Sequence, residues 1–130
     1  MNILGTGIDI VDNSRFKKIL VRKRSGFKNK IFSRKEINYC EKKNNFVNCY
    51  SKRFAAKEAF VKALGTGFRD GINYKDIEIT NNSFGKPSLN IDKKISKKIR
   101  NIFKIKKFLI SVSVSDEKKY SVASVIISQK

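Results

Sequence analysis

The sequence predicts one α+β domain in which an antiparallel sheet packs around a long central helix. Three observations indicate this class. A chain of 130 residues is the size of a single domain, and it contains neither an internal repeat nor a linker, so we assign residues 1–130 to one domain. The longest helix-forming run ends at Gly65. The predicted order is a strand, three helices, a hairpin, a helix and a second hairpin, which is typical of α+β proteins.

The first half of the chain is predicted to contain the strand and three helices. Alternating apolar residues predict the strand, and apolar residues at steps of three and four predict the helices. Asp12 or Asn13 is expected to cap the first helix, and Ser33 with Glu36 matches a capping box at the start of the second. The predicted ranges are 3–11 for the strand, 14–24, 33–43 and 49–64 for the helices, and 42–48 for a polar loop.

The second half is predicted to contain two hairpins and one helix. Three glycines between residues 65 and 73 predict a loop, and residues 81–87 contain strong turn formers. Pro87 disfavours a central position for the strand that it begins. The predicted ranges are 76–80 and 88–91 for the first hairpin, 95–103 for an amphipathic helix with a basic outer face, and 109–115 and 120–127 for the second hairpin.

The composition excludes several classes of protein. No stretch of about 18 apolar residues is present, so no membrane span is predicted. The N-terminus lacks a basic region followed by an apolar run, so we expect no signal peptide and a cytoplasmic location. In that compartment Cys40 and Cys49 are expected to be free thiols. The chain has no histidine, which removes histidine-based acid–base catalysis and most transition-metal sites, so any metal should be a hard cation bound by oxygen.

The charge is strongly positive, with 30 Lys and Arg against 11 Asp and Glu and a formal net charge of +19. Such a charge attracts polyanions and speeds their association. Three kinds of partner fit: nucleic acid, an anionic membrane surface, or an acidic protein together with a phosphorylated ligand. The chain is also rich in residues with AT-rich codons, so a biased genome composition could produce much of this charge without selection for binding.

Two carboxylates lie on faces that otherwise look buried. Asp9 shares its strand face with glycines and apolar residues, and a glycine face lets another segment approach the backbone closely. Steps of three and four place Glu58 on one helical stripe with Phe54 and Val61. Two converging carboxylates can hold Mg²⁺, which takes its remaining ligands from water and substrate phosphates. The basic residues that could meet those phosphates are Arg53, Lys57 and Lys62.

Each acidic residue also has a simpler interpretation. Asp9 could cap a turn, and Glu58 could form an exposed pair with Lys62 worth roughly 0.2–0.5 kcal/mol. For Glu36 we prefer the purely structural role in the capping box. The glycine turn at Gly65 lacks the spacing and the Lys-Ser/Thr pair of a P-loop.

Several segments resemble the holo-acyl-carrier-protein synthase family, the small 4′-phosphopantetheinyl transferases. Gly7-Ile8-Asp9-Ile10-Val11 resembles the first family signature, and residues 53–67, which begin Arg53-Phe54-Ala55-Ala56-Lys57-Glu58 and end Gly65-Thr66-Gly67, resemble the second. Phe84-Gly85-Lys86-Pro87 resembles a third family element, and residues 113–127 resemble the last hairpin. The resemblance covers nearly the whole chain, in the family's order and at its typical length.

The resemblance implies an activity and its partners. Members transfer the 4′-phosphopantetheine group of coenzyme A to a serine hydroxyl of apo acyl carrier protein and release 3′,5′-ADP, a reaction that supports fatty acid biosynthesis. It therefore implies coenzyme A and an acidic acyl carrier protein as substrates, Mg²⁺ as cofactor, and a homotrimer with active sites between subunits. It implies neither a nucleic-acid partner nor a membrane span.

The resemblance also assigns roles to residues of this chain. The family's metal-binding aspartate and glutamate match Asp9 and Glu58, and its lysine one turn later matches Lys62, as a phosphate partner. The basic first helix matches the docking surface for the carrier protein. The complete assignment is Glu58 and Lys62 for catalysis, Asp9 and Glu58 for the metal, Arg53, Lys57, Lys62, Gly65, Gly85, Lys86 and Pro87 for coenzyme A, and Arg15 and Arg22 for the carrier.

Some points stay open at the level of the sequence. The proton of the serine could pass to a water on the metal or to Glu58, with Glu36 as a distant third candidate. Ser111 stands where family members often carry a histidine, so affinity for the coenzyme could be weaker here. The runner-up function is a non-enzymatic RNA-binding module, which would need aromatic residues interleaved with basic ones on an exposed sheet face. A third possibility is a structural subunit without activity, and the presence of Asp9, Glu58 and Lys62 argues against it.

Overall fold

The computed structural model describes residues 2–22, 26–68 and 71–130. The predicted α+β class with a long helix and antiparallel strands is confirmed. In chain order the described elements are β1 (Ile3–Asp12), α1 (Asn13–Leu20), α2 (Phe27–Ile31), α3 (Arg34–Glu41), α4 (Phe46–Leu64), a 3₁₀ helix (Tyr74–Asp76), β2 (Ile77–Asn81), β3 (Pro87–Ile91), α5 (Lys93–Phe103), β4 (Phe108–Asp116) and β5 (Tyr120–Gln129).

The strands form two antiparallel sheets. In the larger sheet β5 lies between β1 and β4, so that Asp9 is opposite Ala123 and Ser111 is opposite Ile126. The smaller sheet is the hairpin of β2 and β3. Both hairpins occur where the sequence predicts them, whereas the pattern does not show that the β2–β3 hairpin forms a sheet of its own.

The helix α4 forms the centre of the hydrophobic core. Most of its side chains are buried, including every alanine and both aliphatic residues of its last turn. From Phe54 onward, only Phe54, Glu58 and Lys62 reach the surface, and they are spaced by four residues. Such a spacing places them along one side of the helix. The stripe that carries the predicted site is therefore the one side of this part of α4 that remains open.

The first strand packs directly against α4 through its glycines. A Cβ atom at Gly5 would overlap the carbonyl of Ala63, and a Cβ atom at Gly7 would overlap the carbonyl of Ala59. Only glycine permits this approach, so the predicted close contact at the glycine face is made by α4. Asp9 follows on the same face of β1, and its carboxylate therefore lies beside the open stripe of the helix.

Local capping decides most helix ends. Asp12 caps α1 by accepting hydrogen bonds from two backbone N–H groups, and the capping box of Ser33 and Glu36 is formed in full. α4 begins at Phe46, ahead of the predicted start, because the side chain of Asn45 caps it. The helix α1 ends at Leu20, short of the predicted end, which lies in residues 23–25, outside the described residues. The five-residue helix α2 was not predicted, because so short an element has little periodicity.

The prediction of two free thiols is wrong in this structure. Cys40 near the end of α3 and Cys49 in the first turns of α4 form a disulfide, with their Cα atoms 5.5 Å apart. The short connection between the two helices brings the residues together, and spacing along the chain does not reveal this. None of the described helices is both long and apolar enough to cross a membrane.

Candidate active site

Asp9 and Glu58 line one open cavity of about 270 Å³ between β1, α1 and α4. Arg15, on the first turn of α1, lines the same cavity. The fold therefore brings together two carboxylates from elements that are distant in sequence, and it places one of the predicted carrier-binding residues beside them.

Each of the two carboxylates is held by a different kind of donor. Lys62 Nζ donates to Asp9 Oδ1 at 2.9 Å and to the carbonyl of Ile8 at 3.0 Å. The hydroxyl of Tyr74 donates to Glu58 Oε1 at 2.6 Å. Within residues 2–22, 26–68 and 71–130, no hydrogen bond is made to Asp9 Oδ2 or Glu58 Oε2. The expected alternative, an exposed pair of Glu58 with Lys62, is not formed, because Lys62 turns to β1 instead.

The donor set of this cavity fits a hard divalent cation. Both candidate ligands are carboxylates, and among the described residues no group of three or more histidine, cysteine or acidic side chains could hold a metal. Mg²⁺ characteristically binds one or two carboxylates and fills its other positions with water and substrate phosphates. Two carboxylates therefore fit the protein share of a Mg²⁺ site completed by water and phosphates, and they do not make an all-protein site.

Tyr74 is a member of this site that the sequence pattern does not reveal. Its ring stacks against Phe54, with 5.7 Å between centroids, and against Phe68, with 3.8 Å between centroids. Burial raises the pKa of the Tyr74 hydroxyl, and the hydrogen bond to Glu58 and the charges of Glu58 and Asp9 raise it further. The hydroxyl is therefore a stable neutral donor to Glu58. Its only sequence signal is an aromatic residue at the end of a glycine-rich loop.

A second cavity, of about 340 Å³, lies between the β2–β3 turn, the start of α4 and the end of β4. Three residues of the predicted coenzyme segment and helix line it, namely Arg53, Gly85 and Pro87, together with the basic side chains of Lys43 and Lys52. Arg53 is 4% exposed; its guanidinium donates to Asn81 and to Cys49 Sγ and stacks on Tyr39. Its Nε is buried and has no partner among the described residues. Three cations around one cavity favour a phosphorylated ligand.

The same cavity contains one acidic residue, Asp116. Asn48 donates to Asp116 Oδ2 at 2.8 Å, and Lys52 Nζ lies 3.2 Å from Oδ1. Burial acts to raise the pKa of this carboxyl, but the hydrogen bonds from Asn48 and Lys52 and the charge of Lys52 outweigh burial and lower it. Asp116 therefore stays ionised and fixes Lys52 at the rim of the cavity.

Comparison with known proteins decides the family. A model of the 4′-phosphopantetheinyl transferase superfamily matches residues 5–123. The chain belongs to this superfamily. The holo-[acyl-carrier-protein] synthase of Pelagibacter ubique is 52% identical over 130 residues, which is 100% of both chains. The resemblance to holo-acyl-carrier-protein synthases that the sequence indicates is thereby confirmed.

Solved structures of this family share the fold. The structure of the holo-[acyl-carrier-protein] synthase from Neisseria meningitidis superposes with a TM-score of 0.84 at 33% identity and covers 98% of this chain and 99% of that one. A holo-(acyl-carrier-protein) synthase from Bacillus anthracis, solved in complex with CoA (3′,5′-ADP), gives a TM-score of 0.80 at 30% identity over 100% of both chains.

One predicted coenzyme residue of this family member must be corrected. Lys57 is completely buried, and its Nζ donates to the carbonyls of Ile31 and Tyr74 and to Glu36 Oε1. Burial lowers the pKa of Lys57, and the charge of Glu36 opposes that shift. The prediction that Lys57 meets coenzyme phosphates is wrong, because its position on α4 faces the core rather than the open stripe.

Glu36 is likewise removed as a candidate base. It is 1% exposed, and its two oxygens accept from Lys57, from the N–H of Ser33 and from the N–H of Ile79. The preferred structural interpretation of Glu36 is therefore confirmed. Glu36 is also the ion-pair partner of Lys57, which the capping-box pattern does not reveal.

The remaining predicted residues lie on the surface of this superfamily member. Gly65 ends α4 at a φ of 81°, a left-handed conformation that favours glycine, as the pattern predicts. Lys86 is exposed in the β2–β3 turn, and Arg22 is exposed beyond α1. Ser111 is exposed on β4. The ligand roles of these residues stay predictions.

The outer face of the larger sheet combines exposed aliphatic side chains with serines, such as Ser111 opposite Ile126. Ile8 and Ile10 are each 64% exposed, and Ile126 on the neighbouring strand is 37% exposed. Tyr120, also partly exposed, is the aromatic residue at the edge of this face. Aliphatic side chains in place of interleaved aromatic and basic ones do not suit an RNA-binding sheet. This face of the larger sheet therefore does not favour the runner-up function.

Proposed function

We propose that the chain transfers the 4′-phosphopantetheine group of coenzyme A to a serine hydroxyl of apo acyl carrier protein and releases 3′,5′-ADP. The observation that carries the proposal is the convergence of Asp9, Glu58 and Lys62 on one open side of α4, in a chain of this superfamily. The names of the relatives and the coenzyme bound to the Bacillus anthracis protein support the choice of both substrates.

Asp9 and Glu58 would hold Mg²⁺ through their carboxylates. When bound, the ion supplies positive charge to the phosphate oxygens at the point of transfer. The chain's other contribution there is Lys62, whose side chain is 52% exposed and whose ammonium lies beside Asp9. Its fixed charge suits the charge that accumulates on the phosphate oxygens during transfer.

The second cavity would bind those phosphate groups of the coenzyme that do not lie at Asp9 and Glu58. Arg53 is held in place there by Asn81 and Tyr39, so it can offer its charge with little loss of side-chain entropy. Gly85 adopts a φ of 85°, which keeps the turn beside the cavity compact. Of the two carboxylates considered as the base for the serine hydroxyl, Glu36 is buried in its ion pair with Lys57, so Glu58 is the remaining side chain, beside the alternative of a water near the ion.

The acidic carrier protein would dock on the side of α1. Arg15 lines the cavity of the two carboxylates, so a carrier that contacts Arg15 brings its serine next to the proposed metal site. The net charge of +19 would steer an acidic partner and make its association rate salt-dependent. We propose that the modified carrier is used in fatty acid biosynthesis and that this process takes place in the cytoplasm.

We also propose a homotrimer with active sites between subunits. The support is the uncovered apolar face of the larger sheet around Ile8 and Ile10, which a neighbouring copy would bury. Light scattering on the protein as it elutes from a size-exclusion column tests this assembly. We expect the mass of three chains for the natural sequence and of one chain for Ile10→Lys, and a natural protein that elutes as a monomer would contradict the proposal.

The activity is tested with the purified protein, apo acyl carrier protein, coenzyme A and Mg²⁺. The mass of the carrier should increase by one phosphopantetheine group, as measured by intact-protein mass spectrometry. The same reaction without Mg²⁺, in the presence of a chelator, should leave the carrier unmodified. An unmodified carrier in the complete reaction, under conditions where a known transferase modifies it, would overturn the proposed function.

A further inference from the structure

The contact between Tyr74 and Glu58 differs from the other contacts of the site. The hydroxyl of Tyr74 donates to Glu58 Oε1 at 2.6 Å, and the two residues are 16 positions apart in the chain. The Asp9 carboxylate accepts a hydrogen bond from the ammonium of Lys62, whereas the Glu58 carboxylate accepts one from a neutral hydroxyl. Tyr74 therefore orients Glu58 without neutralising its charge, which leaves the full negative charge for a cation.

The ring of Tyr74 is fixed from two sides. It stacks on Phe54 with an angle of 15° between ring planes and on Phe68 with an angle of 27°. Phe54 lies one helical turn before Glu58 on the open stripe of α4, so the ring of Tyr74 lies alongside that stripe. A tyrosine ring stacked on two aromatic neighbours presents its hydroxyl at a defined point, since only two side-chain torsions have to be fixed.

The backbone of Tyr74 is also fixed. Its carbonyl accepts a hydrogen bond at 3.1 Å from Lys57 Nζ, which is bound as well to Glu36 Oε1 and to the carbonyl of Ile31, each at 2.7 Å. The neighbour of Glu58 in the sequence thus anchors, from inside the core, the residue that holds the Glu58 carboxylate. The fully buried ion pair of Lys57 and Glu36 therefore supports the backbone of Tyr74.

We propose that Tyr74 is a positioning residue that holds the Glu58 carboxylate in the orientation needed to bind a divalent cation. The inference rests on the proposed function, because it assumes that Glu58 is a metal ligand. A glutamate at a half-exposed helix position has several accessible rotamers, and a hydrogen bond from a rigid donor selects one of them in advance. Hydrogen-bond partners of ligating carboxylates typically change metal affinity or activity by about 10–100-fold.

The test uses Tyr74→Phe in the full-length protein, because phenylalanine keeps the stacked ring and removes only the hydroxyl. The dissociation constant for Mn²⁺ is measured without substrates, by electron paramagnetic resonance of the free ion. We expect it to rise by about 10-fold. The Mg²⁺ concentration for half-maximal carrier modification should rise in parallel, while saturating Mg²⁺ restores most of kcat.

Tyr50→Phe is the matched control. Tyr50 donates to Glu41 Oε2 at 2.7 Å and packs on Phe32, so the variant also removes one tyrosine–glutamate hydrogen bond. Neither Tyr50 nor Glu41 lines the two cavities of the candidate site. We expect both variants to lower the thermal unfolding midpoint and only Tyr74→Phe to change the dissociation constant for Mn²⁺.

Two results would overturn the inference while leaving the proposed function intact. One is a Tyr74→Phe protein that binds Mn²⁺ as tightly as the natural protein, and the other is an equal loss of affinity in Tyr50→Phe. A natural protein that modifies the carrier but shows no saturable Mn²⁺ binding would overturn the inference and the metal role of Glu58 together. Failure of the natural protein to modify the carrier would overturn the proposed function itself.

Discussion

Lys62 on α4 donates a hydrogen bond of 2.9 Å to Asp9 on β1, although the two residues are 53 positions apart in the chain. Glu58 is closer to Lys62 along the chain, four residues earlier on the same side of α4, but the two side chains do not pair. The reason is the contact of β1 with α4 through Gly5 and Gly7, which brings the Asp9 carboxylate up to the open stripe of the helix. The Lys62 ammonium consequently lies beside Asp9, which lines one cavity together with Glu58.

Replacing Lys62 should strengthen metal binding and slow turnover. In Lys62→Met no ammonium competes for Asp9, so the dissociation constant for Mn²⁺ should fall by roughly fivefold, the equivalent of ~1 kcal/mol for unit charges about 4 Å apart in water. The rate of carrier modification should nevertheless fall by about 100-fold, because one cation at the phosphates is lost. Lys28→Met, which removes an exposed pair with Glu41, is the control and should change neither quantity. A Lys62→Met protein with normal turnover would contradict the role of Lys62.

Neutral substitutions of the two carboxylates should abolish the activity without unfolding the protein. We expect Asp9→Asn and Glu58→Gln each to reduce carrier modification by at least about 100-fold, since the charge that holds the cation is removed. Circular dichroism should show a thermal transition close to that of the natural protein, because both side chains are only partly buried. Near-normal turnover in either variant would remove that residue from the metal site.

Breaking the buried ion pair behind the site should destabilise the fold. Lys57→Met leaves the Glu36 carboxylate buried without its ammonium, which typically costs about 3–5 kcal/mol. The double variant Lys57→Met with Glu36→Gln should recover part of this loss, because no uncompensated charge remains. Urea unfolding measures the free energies of unfolding. A single variant as stable as the natural protein would show that Glu36 finds another partner.

Enlarging Gly7 should displace the proposed metal ligand. A Cβ atom at this position overlaps the carbonyl of Ala59, so Gly7→Ala must move β1 away from α4. We expect a loss of about 1–3 kcal/mol in the free energy of unfolding, as for other overpacked contacts. Carrier modification should fall further than stability explains, since Asp9 is two residues along the displaced strand. Activity that falls only in proportion to the folded fraction would contradict this link.

The predictions from the sequence succeeded where the pattern is local. The capping box of Ser33, the end of α4 at Gly65 and both hairpins depend on neighbouring residues, and all are found in the structure. The disulfide between Cys40 and Cys49 was missed, because it depends on how α3 turns into α4 and not on the spacing of the cysteines.

The predictions for the site also succeeded where the signal is local and failed where it depends on distant residues. Asp9 and Glu58 stand out in the sequence because each carboxylate interrupts an apolar face, and that property is local. Lys57 was placed at the coenzyme because it adjoins Glu58, but α4 is buried on nearly all sides, so Lys57, one position before Glu58, points into the core and pairs with Glu36. Tyr74 carries no sequence signal beyond that of an aromatic residue at the end of a glycine-rich loop.

The amino-acid pattern alone is enough to identify a small α+β domain, its family and the two acidic residues of its site. Which donor each acid receives depends on distances between elements that are far apart in the chain. The packing of β1 on α4 assigns Lys62 to Asp9, and the stacking of Tyr74 on Phe54 assigns a hydroxyl to Glu58. A side chain's partner is set by three-dimensional proximity and burial, and neither quantity is written in the spacing of residues along a sequence.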